Sequence, residues 1–168
     1  MNPPVFLVGF MGSGKTRIGQ LLSKRMGWSW LDLDDRIVEV AGKSIPDIFA
    51  QEGETAFRKM ERQCLQETLS AESLVVSCGG GIVTQPDNLQ DLLNQQRVVC
   101  LRIQPETVFR RVGNDPRRPL LQGSDSMGQI RKLMQEREAY YQKFPFQVDV
   151  DKCRASEVAD QIVKGLGL

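Results

Sequence analysis

Short apolar runs alternate with amphipathic stretches along the chain. PVFLVGF (4–10), WSWLDLD (28–34), LVVSCGG (74–80), RVVCLRI (97–103) and FQVDV (146–150) read as strands. Helical periodicity fills 15–26, 35–41, 46–52, 54–70, 86–95, 105–112, 126–143 and 156–166. Runs such as VVCL are apolar on both faces, and strand alternates with helix. The pattern therefore predicts an α/β fold, a mostly parallel sheet covered on both sides. One stretch, VGNDPRRPLLQGSD (112–125), has no periodicity and carries Gly113, Pro116, Pro119 and Gly123. It predicts a long loop between two helices, a length usually reserved for functional or disordered segments.

Composition narrows the function classes. A chain of 168 residues fits one domain, 1–168, with a sizeable core. Net charge is +1, so bulk charge gives no case for nucleic-acid or membrane binding. No apolar run is long enough to span a bilayer. The start, MNPPVFLVGF, runs straight into a strand pattern and does not read as a signal or transit peptide. The expected location is the cytoplasm, or a plastid had a transit peptide been removed. No long apolar helix face is left over, so a monomer is expected. Four cysteines lack CxxC spacing and read as reduced thiols, two of them in apolar strand runs. The absence of histidine removes a Ser-His-Asp triad, a Cys-His dyad and any histidine-ligated metal. A proton acceptor here is a carboxylate.

The stretch GFMGSGKT (9–16) completes G-x-x-x-x-G-K-[ST] between a strand and a helix, which is the context a phosphate-binding loop requires. Gly9, Gly12 and Gly14 allow backbone angles that turn N–H groups toward an anion, and the helix that starts near Lys15 adds partial positive charge. Lys15 is placed to reach the β and γ phosphates, and the Thr16 hydroxyl to ligate Mg²⁺.

Other polar residues suggest an acceptor. Strand period puts Trp28, Trp30, Asp32 and Asp34 on one side of the second strand, with the two aspartates at its carboxyl end. That edge lines the ligand crevice of an open α/β sheet. One carboxylate can hold Mg²⁺ waters while the other orients a hydroxyl and takes its proton. Asp35 reads as the N-cap of the next helix. In ETAFRKMERQCLQ an apolar stripe runs through Phe57, Met60, Cys64 and Thr68, and Arg58 beside it is flanked by Glu54 and Glu61. Taken alone, this reads first as a surface salt-bridge cluster. Arg131, Lys132, Arg137 and Lys143 read as mostly solvated, and no spacing singles out Arg137. SCGGG (77–81) either lets a ligand approach the backbone or is a tight turn. Arg117 and Arg118 sit in the 112–125 loop, where an arginine-bearing lid would exclude water and neutralise charge.

Together, GFMGSGKT, LDLDD (31–35), FRKME (57–61), SCGGG, RRPLL (117–121) and REAYY (137–141) resemble the shikimate kinases, in order and spacing over nearly the whole chain. The phosphate loop alone would not separate that family from gluconate or adenylate kinases. The resemblance implies a three-layer fold of the nucleoside monophosphate kinase type: a five-stranded parallel sheet with a mobile lid (about 112–125) and a substrate-binding region (about 32–61). It implies ATP and shikimate as substrates and Mg²⁺ as cofactor. Lys15, Asp34 and Arg118 would be catalytic, with Asp34 as base toward the 3-hydroxyl. Gly12, Ser13, Gly14, Lys15, Thr16, Arg111, Arg118 and Arg154 would meet the nucleotide, with Arg111 against adenine. Asp34, Arg58, Gly79, Gly80, Gly81 and Arg137 would meet shikimate, the two arginines on its carboxylate. Thr16 and Asp32 would hold the metal. Arg117 has no assigned role. Two readings compete with this one: a kinase for another hydroxylated acid such as gluconate, and a binding protein without catalysis.

Overall fold

The computed structural model describes residues 2–113 and 125–168. Five parallel strands form one sheet in the order β2-β3-β1-β4-β5: β1 Val5–Gly9, β2 Ser29–Asp32, β3 Leu74–Ser77, β4 Val98–Arg102 and β5 Gln147–Asp149. The central strand β1 is buried along its whole length, as its unbroken apolar run requires of a strand covered on both faces. Among the described residues seven helices flank the sheet: α1 Lys15–Met26, α2 Leu33–Ala41, α3 Ile45–Thr68, α4 Pro86–Leu93, α5 Pro105–Val112, α6 Ser126–Tyr141 and α7 Ala155–Leu166. α1 packs on β3 and α7, α2 on α3, and α5 on α6.

The expected alternation is present, with informative shifts. The second strand, expected over 28–34, ends at Asp32, and the chain enters α2 at Leu33. Asp34 therefore lies in the first turn of a helix and not on a strand row. Asp35 is not the N-cap either, because Asp32 caps α2 by accepting from the Asp34 N–H at 3.0 Å. The third strand, expected through residue 80, stops at Ser77, so the glycines form a turn that leads into a short 3-10 segment, Ile82–Thr84. Helices expected over 46–52 and 54–70 follow one another directly as α3, with a kink at Gly53 (φ 82°, ψ 171°). Of the loop expected over 112–125, residues 114–124 lie outside the described residues.

Close packing at α1 fixes the phosphate loop on the sheet. A Cβ at Gly19 would fall 2.6 Å from Trp30 Nε1. Trp30 Nε1 donates to Ser77 Oγ at 3.1 Å, and Ser77 Oγ donates to the Lys15 carbonyl at 3.0 Å. The first turn of α1 is thereby tied to β2 and β3.

Candidate active site

The loop between β1 and α1 bends through left-handed backbone at Gly12 (φ 77°) and Gly14 (φ 90°), the latter directly before α1. The Lys15 ammonium folds onto the loop, donating to the carbonyls of Gly9 (2.7 Å) and Phe10 (3.0 Å). Ser13 Oγ is buried and has no hydrogen-bond partner among the described residues. A buried orphan hydroxyl in a nest of amides at a helix N-terminus suits an anion. Thr16 Oγ1 donates to Asp32 Oδ2 at 2.7 Å, joining the start of α1 to the end of β2.

Cavities open on either side of this loop. One, of about 560 Å³, is lined by Lys15, Thr16, Asp32, Asp34, Cys78 and Gly80 among others. The other, of about 500 Å³, lies on the far side of Gly12–Gly14 and is lined by Arg111, Val150, Cys153 and Arg154. Arg111 Nη1 donates to the Gly12 carbonyl at 2.8 Å, so the end of α5 rests on the phosphate loop.

The Gly79–Gly81 turn gathers the remaining polar residues, and each glycine is met by a different side chain. A Cβ at Gly79 would lie 2.8 Å from Glu61 Oε1 and 3.1 Å from Asp34 Oδ1. One at Gly81 would lie 2.8 Å from Arg58 Nη2. The Gly80 carbonyl accepts from Arg137 Nη1 at 3.2 Å and from Tyr141 Oη at 2.6 Å. Gly80 also touches the phosphate loop, since a Cβ there would lie 3.3 Å from the Met11 nitrogen. Arg58 is held between Glu54 (3.1 Å) and Glu61 (2.8 Å) and over the Phe57 ring.

Burial changes two sequence readings. Arg137, expected to be solvated, is 6% exposed and lies over the Phe10 ring. Glu61, read as a buttress for Arg58, is 1% exposed. Burial pushes its carboxyl above the ordinary range, with Arg58 opposing. Tyr141 is the polar contact that the sequence reading missed. Of the expected site residues, Asp32, Asp34, Arg58, Gly79, Gly80, Gly81 and Arg137 come together at the carboxyl edge of the sheet with Lys15 and Thr16. Arg111 and Arg154 line the second cavity. Arg117 and Arg118 lie outside the described residues. Among the described residues there is no cluster of three metal-ligating side chains of the His, Cys, Asp or Glu type.

The family model described as Shikimate kinase matches residues 11–166. The chain is 40% identical over 162 residues to the shikimate kinase of Moorella thermoacetica, covering 96% of this chain and 93% of that protein. It is 42% identical over 163 residues to the one from Synechococcus sp. RCC307, covering 96% and 83%. The solved shikimate kinase from Acinetobacter baumannii in complex with shikimate superposes with a TM-score of 0.94 at 34% identity, over 99% of this chain and 93% of that one.

Proposed function

This chain belongs to the shikimate kinase family, and we propose that it transfers the γ-phosphoryl group of ATP to the 3-hydroxyl of shikimate. The observation that carries the proposal is the contact at Gly80. There the phosphate loop and a turn flanked by two arginines and two carboxylates meet within van der Waals range. A phosphoryl donor on one side of that contact faces a carboxylated polyol on the other.

The residues divide the work. The α1 N-terminus and Ser13 bind the phosphates, and Lys15 leaves the Gly9 and Phe10 carbonyls for them. Arg111 and Arg154 border the base. Arg58 and Arg137 hold the shikimate carboxylate beside the Gly79–Gly81 turn. Asp34, beside Gly79, orients the 3-hydroxyl. The hydroxyl oxygen attacks the γ-phosphorus, the bond to the ADP oxygen breaks, and Asp34 takes the hydroxyl proton. A loose transition state asks little basicity of it. Thr16 and Asp32 form an all-oxygen pair suited to Mg²⁺. The ion, when bound, neutralises charge on the phosphates. Arg118 adds positive charge from the lid. The protein acts as a monomer in the cytoplasm.

ADP release from ATP and Mg²⁺ tests this, with shikimate, with gluconate and with neither. A rate raised steeply by shikimate alone is expected. Stimulation by gluconate would overturn the acceptor, and stimulation by neither would overturn the transfer itself.

A further inference from the structure

The reaction above leaves Tyr141 without a task, yet its phenol is buried against the acceptor turn. Tyr141 is 5% exposed, sits in the last turn of α6 and donates to the Gly80 carbonyl at 2.6 Å. Burial holds the phenol far above its ordinary pKa, so it stays protonated and donates at any working pH. Arg137, one helical turn earlier, donates to the same oxygen at 3.2 Å. The two donors differ in what an acceptor does to them. A carboxylate arriving at the turn competes for the guanidinium of Arg137, whereas the neutral phenol has no such call on it. The turn's own hydrogen bonds, Ile82 N–H to Gly79 and Thr84 N–H to Gly81, leave the Gly80 oxygen to these side chains. Because a peptide is planar and trans, fixing that oxygen also fixes the Gly81 N–H, which points the opposite way.

We propose that Tyr141 is a positioning residue of the acceptor site, holding the Gly80–Gly81 peptide in place while Arg137 turns its charge to the acceptor carboxylate. The inference rests on the shikimate-phosphorylating reading above. It predicts the larger loss on the shikimate side, because the phenol's hydrogen bond goes to the acceptor turn.

The test compares wild type, Tyr141→Phe and the half-buried neighbour Tyr140→Phe. Steady-state kinetics in both substrates and calorimetric titration of shikimate without nucleotide are measured. An orphaned buried carbonyl weakens shikimate by about tenfold, in KM and in Kd alike. The expected KM for ATP and kcat stay within about twofold for Tyr141→Phe, and Tyr140→Phe matches wild type. In the ligand-free protein the Gly81 amide resonance moves in Tyr141→Phe and not in Tyr140→Phe. Unchanged shikimate affinity in Tyr141→Phe overturns the role. So does a parallel decline in both substrates with a lowered melting temperature, which marks a purely structural residue. A wild type that neither binds nor phosphorylates shikimate overturns the acceptor reading itself, and is told apart by its failure before any substitution is made.

Discussion

Gly79→Ala puts one methyl group where two carboxylates converge. Gly79 is not among the glycines with left-handed backbone, so the substitution introduces crowding and no backbone strain. Its Cβ would lie 2.8 Å from Glu61 Oε1 and 3.1 Å from Asp34 Oδ1, whereas ordinary contact begins near 3.4 Å. Glu61 must therefore retreat by roughly 0.6 Å. At 1% exposure it has no solvent to swing into. Its other oxygen holds Arg58 at 2.8 Å, so the displacement passes to the guanidinium. A misplacement of about 1 Å near a reacting group costs about a hundredfold, so a shift of this size costs about ten- to thirtyfold in kcat/KM for shikimate. Overpacking adds about 1–3 kcal/mol of destabilisation. The phosphate loop is not touched by the new methyl, so nucleotide affinity is expected to stay within about twofold. The assay is ADP release at varied shikimate and varied ATP, with thermal unfolding in parallel. A variant with wild-type kcat/KM for shikimate would refute the claim that Glu61 and Asp34 are held rigidly against Gly79.

Asp34→Asn keeps the shape of the α2 start and removes the proposed proton acceptor. ATP binding measured by calorimetry is expected to persist while kcat for shikimate falls by about 10²–10⁴-fold. Thiol labelling should single out Cys153: burial raises Cys64 and Cys78 and pushes Cys100 up to about 11, whereas Cys153 is half-buried and lines the second cavity. Mass mapping after brief exposure to a disulfide reagent is expected to find Cys153 modified first, and ATP to slow it. Glu61→Gln changes the pH dependence of stability. The folded-state pKa of Glu61 is raised above the ordinary 4.5, so its contribution is fully present below that value and is lost as pH rises through the folded pKa. Denaturant titrations upward from about pH 4.5 should show wild type losing stability relative to Glu61→Gln across that interval.

The strands and helices were legible because each apolar run is the length of one element. The phosphate loop was legible because its motif stands between a strand and a helix. Asp34 was found for a reason that failed. Strand period placed it beside Asp32, but the strand ends there and Asp34 reaches the crevice from the first turn of α2. The cap was readable, since LDLDD before RIVEV allows Asp32 as N-cap with Asp34 and Asp35 in the acidic first turn. Arg137 was masked by its charge. It stands with Ile130, Met134 and Tyr141 at i, i+4, i+7 and i+11 on one stripe of α6. Glu61 interrupts the stripe of α3 in the same way, between Phe57 and Cys64. A single charged position in an otherwise apolar helical stripe is the signal that would have found both. What no pattern supplies is that the two stripes face the same glycine turn, because that contact joins α3 to α6 across the sheet edge.

That juxtaposition separates this site from a phosphate loop that merely hydrolyses. A loop of this type binds phosphates wherever it occurs, and the choice between water and an acceptor is made beside it. Here Glu61 and Arg58 reach the turn from α3, and Arg137 and Tyr141 from α6. Between them Gly80 lies against the Met11 nitrogen. On the proposed reading, an acceptor held by the arginines is oriented by groups fixed to the phosphate loop itself, and a water molecule, which has no carboxylate, gains none of that orientation. Because Gly80 stands between the acceptor turn and the phosphate loop, the coupling of the two sites is read by measuring shikimate affinity with and without bound ADP in Tyr141→Phe.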